Sequence, residues 1–413
     1  MLNILLYISI ISALFITTHT APTLGITQVV TASFMPMTAY IIIKQINIRK
    51  NVWTCNYNKT AVTIFLFAIF IIVFKWTMAQ NYGKNVLQFL LIPMTISVFF
   101  EELSPQNIKW LRSIVLVYFI LICVLSIYER IFLTNIFTSQ ETIENSLIYN
   151  HETWGFRSET ILGPLASAMC VTTILSFILT NRRISVIHKI LYFMLGYVSL
   201  FCFNARGAII VATLFIVPYI IHLIHQIKNK KQKKITYTFF IIGSIYLLYI
   251  VINTSLGGRL LNQEELLDGS AQTRLDIFSF YNYLTTDQLL WGNPDLYLYV
   301  MRKLGAGGVE NGIIVLILNY GIIITFIMLL LLMFFHYTKL SVYNNAERIW
   351  IMAIFYILGT MNPNLATPVQ WTIWLFSYYA FRNKTFQYKK TIVHQKTIRN
   401  DEKDIMAVQR KIR

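Results

Sequence analysis

The chain has 413 residues, of which 56% are apolar and only 13% charged. That is too little charge to coat a water-soluble globule, so the composition excludes the soluble classes and indicates a membrane protein. The net charge of +17 raises the question of nucleic acid, but no basic, aromatic-interleaved soluble segment exists to bind it, and nucleic acid is excluded as a partner.

The hydrocarbon core of a bilayer is about 30 Å thick and is crossed by ~20 mostly apolar residues in a helix. Twelve apolar stretches approach that length. The first, residues 2–18, lacks a basic leader and a small-residue cleavage site, so it is expected to be retained as a span. Spans at 26–43, 61–76, 86–100 and 111–128 follow. A long connection over 129–160 leads to spans at 161–180, 187–204, 205–225 and 235–253. A second, over 254–309, leads to the last three at 310–335, 348–361 and 367–381, and residues 382–413 form a basic tail. The expected fold is all-α, a single polytopic transmembrane domain over 1–381 with about twelve helices.

Cytoplasmic loops are enriched in Lys and Arg. With both termini placed inside, the inner segments hold 26 of the 35 basic residues and six of the 18 acids, a balance of +20. The outer segments hold the other nine and twelve, a balance of −3. The charge is therefore a topology signal, with both termini and the tail cytoplasmic and both long connections outside. Of the cysteines, Cys55 falls in an inner loop and Cys123, Cys170 and Cys202 fall in spans, so no outer disulfide framework and no zinc spacing is expected.

Connections longer than ~12–15 residues are uncommon and usually functional or disordered. In the second one, Ser270 is placed to cap a helix over Ala271–Leu284, with Leu275, Phe278 and Tyr281 recurring at helical spacing. Gly257-Gly258, Trp291-Gly292-Asn293-Pro294 and Gly305-Ala306-Gly307-Gly308 punctuate it where a lid or hinge could sit.

Arg206 interrupts an otherwise uncharged run from Ile190 to Ile224. An ionisable residue at membrane depth is a functional candidate by default; the competing reading is an arginine snorkelling to lipid phosphates. Arg274, Arg259 and Arg157 are further outer arginines in a face of net negative charge, and guanidinium offers a rigid fork of donors matched to phosphate. Singly, each could equally be a solvated or ion-paired surface residue. Glu310, at the start of the tenth span beside Gly307-Gly308, is a candidate general base. A carboxylate favoured by the helix dipole would account for it too. His151 is a second candidate base. Glu264, Glu265 and Asp268 read as an exposed helix start rather than a metal site.

At these residues the chain resembles a family. Asn204-Ala205-Arg206-Gly207-Ala208, the Ser270-to-Arg274 element and Glu310-Asn311-Gly312 followed by Leu318-Asn319-Tyr320-Gly321 are similar to signatures of bacterial O-antigen and capsular polysaccharide polymerases and of O-antigen ligases. So is the layout, with a major outer loop after the ninth of about twelve spans. The likeness is strongest over about 198–332. Ligases usually carry histidine before the asparagine at the tenth span; Glu310-Asn311 looks more like the polymerase branch. Some polymerases carry an arginine-x10-glycine element in both large loops; Arg259 to Gly269 is one residue short of it and Arg157 has no matching glycine.

The resemblance implies a glycosyltransferase-C-like membrane enzyme of the bacterial inner membrane. It would act on undecaprenyl-diphosphate-linked glycans at the outer face, with membrane lipid around it and a chain-length regulator protein as candidate partner. Arg206 and Arg274, with Arg259, would hold the lipid diphosphate and Glu310 would act as base. Arginines aimed at departing phosphates stabilise charge that rises as the glycosidic bond breaks, and a carboxylate can take the acceptor hydroxyl proton. Cleavage of the lipid diphosphate supplies the driving force, so no cofactor, metal, nucleotide or ion gradient is implied, and no phosphate-cradling P-loop pattern occurs. The alternatives are an O-antigen ligase transferring glycan to lipid A-core, and a lipid-linked oligosaccharide flippase or other transporter. A carrier should show two similar halves, and no such repeat is visible.

Overall fold

The computed structural model describes residues 2–17, 59–77, 103–137, 156–253, 276–304 except 294, 311–361 and 367–382, with isolated positions between them. All regular structure among these residues is helical. The spans expected at 26–43 and 86–100 lie outside them apart from isolated positions, as does the tail beyond 382.

In chain order the apolar helices are α1 (Leu2–Phe15), α2 (Lys59–Thr77), α3 (Pro105–Phe132), α4 (Pro164–Thr180), α5 (Val186–Cys202), α6 (Arg206–His225) and α7 (Lys230–Asn253). Two short helices, α8 (Thr286–Trp291) and α9 (Asp295–Leu304), precede α10 (Gly312–Lys339), α11 (Asn345–Thr360) and α12 (Pro368–Phe381). Four of these rods are long and apolar enough to cross a membrane: Pro105–Phe132, Arg206–His225, Lys230–Asn253 and Gly312–Val342.

The centre of the bundle is α4, every residue of which from Ser167 to Thr180 is buried. It packs on α3, α5, α11 and α12. Small and hydroxylated residues let helices approach closely without leaving polar groups unsatisfied. Thr172, Ser176 and Thr180 accordingly donate to carbonyls one turn back, Ala168 O at 2.5 Å, Thr173 O at 2.7 Å and Ser176 O at 3.0 Å. Gly196 of α5 is part of the same economy of space, since a Cβ there would lie 3.3 Å from both Phe119 and Val171 side chains. By contrast α7 leaves Phe239, Ile242, Ile245, Tyr246, Leu248, Tyr249 and Ile252 exposed. An apolar surface of that extent suits hydrocarbon rather than water, and it agrees with the membrane class read from composition.

α5 and α6 form a tight antiparallel hairpin. Asn204 turns the chain in a left-handed conformation (φ 52°), and Tyr197 and Thr213 meet across the pair with their hydroxyls 2.5 Å apart. A π-helical turn over Ala212–Ile216 precedes Pro218 in α6, and the Trp350 indole N–H of α11 donates to the Phe215 carbonyl there at 2.9 Å. Gly207 at the start of α6 meets the Met361 side chain just past α11, so the 203–205 turn and the end of α11 share one face of the bundle. Connectivity puts the connections over 129–160 and 254–309 at this same end, here called the loop face.

α10 is broken at Gly321, whose φ of 81° and ψ of 164° are not helical. Residues 322–339 on one side of the break are about 27 Å long at 1.5 Å per residue, nearly a full crossing. Residues 312–320 on the other side join the second connection in a separate core made of Ile277, Phe280, Leu296, Val300, Val309, Ile314, Val315 and Leu318. The described part of the connection, 276–304, is therefore a small helical cap built on the first part of α10. The expected amphipathic helix over Ala271–Leu284 is corrected within the described residues. Ile277–Tyr283 is a 3-10 helix, Ile277 and Phe280 are its buried pair, and Phe278 and Tyr281 are exposed. In a 3-10 helix residues i and i+3 eclipse, which puts 277 and 280 on one edge and takes 278 and 281 off it.

The cap is docked backbone to backbone. A Cβ on Gly321 would lie 2.1 Å from Leu290 O, and one on Gly292 (φ 64°) would lie 2.3 Å from Gly321 N. The Asn293 N–H donates to Leu318 O at 2.8 Å, taking a carbonyl next to the break. From α2, the buried Lys75 ammonium donates to Trp291 O and, at 3.2 Å, to Gly292 O.

Candidate anion-binding site

Of the six residues singled out for the site, Glu310, Arg274, Arg259 and His151 lie outside the described residues. Arg206 and Arg157 are described, both half-buried, and they flank the same turn. Arg206 is the first residue of α6, and no side chain caps that helix start at Ala205. Arg157 comes from the far end of the first long connection, and its Nε–H donates to Phe203 O at 3.5 Å.

The local backbone is built for this meeting. α5 ends at Cys202, and the Asn204 and Ala205 N–H groups bond back to Phe201 O and Leu200 O at 2.9 and 3.4 Å. The chain then re-enters a helix immediately at Arg206, so the first-turn N–H groups of α6 stand at this corner. Residues 156–160 run across that corner as an irregular strap, and the Ser158 N–H donates to Cys202 O at 3.1 Å. Ser158 and Thr160 are fully buried in the strap, whereas Arg157 and Glu159 at the alternate positions are half-buried. Thr160 has φ 50°, uncommon for a β-branched residue, and its hydroxyl lies 2.7 Å from that of Ser167 in α4.

Two residues that sequence reasoning passed over hold the strap. The helix expected to end at Tyr128 continues to Phe132, which places Glu129 and Arg130 in its last turns and buries both. Glu129 accepts from the Ser158 hydroxyl and from backbone N–H groups of the strap, while Arg130 donates to Phe156 O. An acid–base pair directly after a long apolar run is the signal in the sequence. Helices end where hydropathy falls only if nothing buries the charges, and here the strap buries them.

The corner joins the positive end of a helix dipole with the Arg157 guanidinium, and Arg206 is the first residue of that helix. Such an arrangement favours an anion with several acceptor oxygens, and guanidinium forks match phosphate geometry. Among the described residues no group of three or more His, Cys, Asp or Glu is placed to hold a metal ion. Comparison with protein families, curated proteins and solved structures finds no match.

Proposed function

We propose that the protein is an oligosaccharide repeat-unit polymerase of the bacterial inner membrane, joining undecaprenyl-diphosphate-linked units into O-antigen or capsular polysaccharide at the outer face. The observation that carries the reading is that Arg157 bonds the Phe203 carbonyl, three residues before Arg206 at the uncapped start of α6. In this reading they hold the diphosphate whose charge rises as the anomeric bond breaks. Arg274 and Arg259 are proposed as further members of the clamp, and Glu310 as the base that takes the acceptor hydroxyl proton. The helical cap over 276–304 suits a roof over a lipid-linked substrate. The loop face is outward in this account because the inner segments carry the balance of +20.

One observation favours a carrier instead. Broken helices mark transporter sites, where irregular backbone lines a cavity, and α10 is broken at Gly321. Here, however, the broken backbone is filled by Gly292 and bonded by Asn293, as in a docking joint.

The surface glycan of a deletion strain tests the reading. A polymerase leaves single repeat units on the lipid carrier or core. Complete loss of capped core would indicate a ligase, and units trapped on the inner leaflet would indicate a flippase.

A further inference from the structure

α3 closes on a carboxylate that is 0% exposed, Glu129. A buried charge is tolerated only when its hydrogen-bonding capacity is met, and a carboxylate offers about four acceptor positions. Four donors converge on this one, one on Oε1 and three on Oε2. The Ile136 N–H bonds Oε1 at 3.2 Å; the Ser158 hydroxyl at 2.5 Å and the Glu159 and Thr160 N–H groups, each at 3.0 Å, bond Oε2. Next to it, Arg130 donates to Phe156 O. The last turns of α3 thus grip both polarities of one strap, carbonyl by cation and amides by anion. With no surface exposed and four donors packed around it, Glu129 is no base for a substrate.

We infer that Glu129 is the positioning residue of the anion site. It fixes 156–160, and so sets the Arg157 guanidinium against Phe203 O, three residues before Arg206. The inference rests on the reading of Arg157 and Arg206 as the phosphate clamp, and it adds that the clamp is set from α3. The carboxylate is required because Oε2 takes three donors. An amide oxygen has two lone pairs, and the amide nitrogen would face an N–H group, donor against donor.

The test uses the full chain in membrane vesicles, with Cys55 replaced by serine and Arg157→Cys as the reporter. Cys123, Cys170 and Cys202 are buried. The rate of maleimide labelling at 157 should rise about tenfold on adding Glu129→Gln, one released contact network being worth roughly that factor. Ser158→Ala, which removes a single donor and is the gentler change should Glu129→Gln fail to accumulate, should raise it about threefold. Unchanged labelling in either accumulating variant overturns the inference. In the native-arginine background, Glu129→Gln should lose polymer, and the pair Glu129→Gln with Arg157→Ala should lose no more than Arg157→Ala alone. Additive losses mean that Glu129 acts elsewhere and also overturn it. Wild-type polymer from Arg157→Ala would sink the clamp reading, and labelling would still decide whether Glu129 sets the strap.

Discussion

Arg206 stands at the positive end of a helix dipole, where a cation is disfavoured by about 0.3–1 kcal/mol, and Arg157 is brought against the carbonyl three residues before it. In the proposed function the lipid diphosphate held at this turn would offset that cost. Lysine preserves the charge but not the fork. Arg206→Lys and Arg157→Lys should therefore each lower polymer yield by ~10²-fold, the scale of one lost charge-stabilising donor set, with membrane accumulation intact by immunoblot. Glu310 invites a similar test. The cap of α10 is the Asn311 side chain, which accepts from the Ile313 and Ile314 N–H groups at 3.0 and 3.1 Å. The helix start thus has its capping group without the Glu310 carboxylate. Glu310→Gln should accumulate normally yet make roughly 10²-fold less polymer, with lipid-linked single units building up; full activity would move the role of base to His151.

At the level of elements, the cap and its joint make the sharpest expectation. Alanine at 321 would carry a cost of about 1–3 kcal/mol for a backbone conformation essentially confined to glycine and a Cβ 2.1 Å from Leu290 O. Gly321→Ala should undock α8 from α10, seen as faster proteolysis within 276–304, while α10 still inserts. Lys75→Met should have the same direction and a smaller effect, since it strips a donor from the Trp291 and Gly292 carbonyls at roughly 1–3 kcal/mol. How far these elements were legible in the sequence varies with the range of the signal. Long apolar runs announce α3, α6, α7 and α10, because a bilayer demands length and hydropathy together. The break in α10 is not announced: Gly321 lies in an apolar run, and the Leu290–Gly292 backbone packed against the break is distant in sequence. The strap was likewise silent, because its buried alternate positions are the hydroxyl residues Ser158 and Thr160 and carry no hydrophobic period. The end of α3 was misread because Glu129 and Arg130 look solvated until the strap covers them. Arg206 was legible because a lone charge in a span stands out; its neighbour Arg157 became more than one outer arginine only through the fold.

Over the whole molecule, the exposed apolar side chains of α7 and the buried hydroxyls of α4 describe a bundle turned outward to hydrocarbon and inward to its own backbone. The basic bias fixes its expected orientation. Cysteines introduced at 270 should label from outside intact cells, and cysteines between 228 and 234 only after the membrane is opened; label at 270 from the cytoplasm would invert the account. The central claim is that the loop-face site elongates glycan on a lipid diphosphate. It is tested most directly by purified protein in proteoliposomes, supplied with lipid-linked repeat units from the deletion strain. The account predicts a ladder of longer lipid-linked chains with release of undecaprenyl diphosphate, lost in Arg206→Lys. Units that cross the bilayer or pass to lipid A-core without any growth of the lipid-linked chain would contradict it.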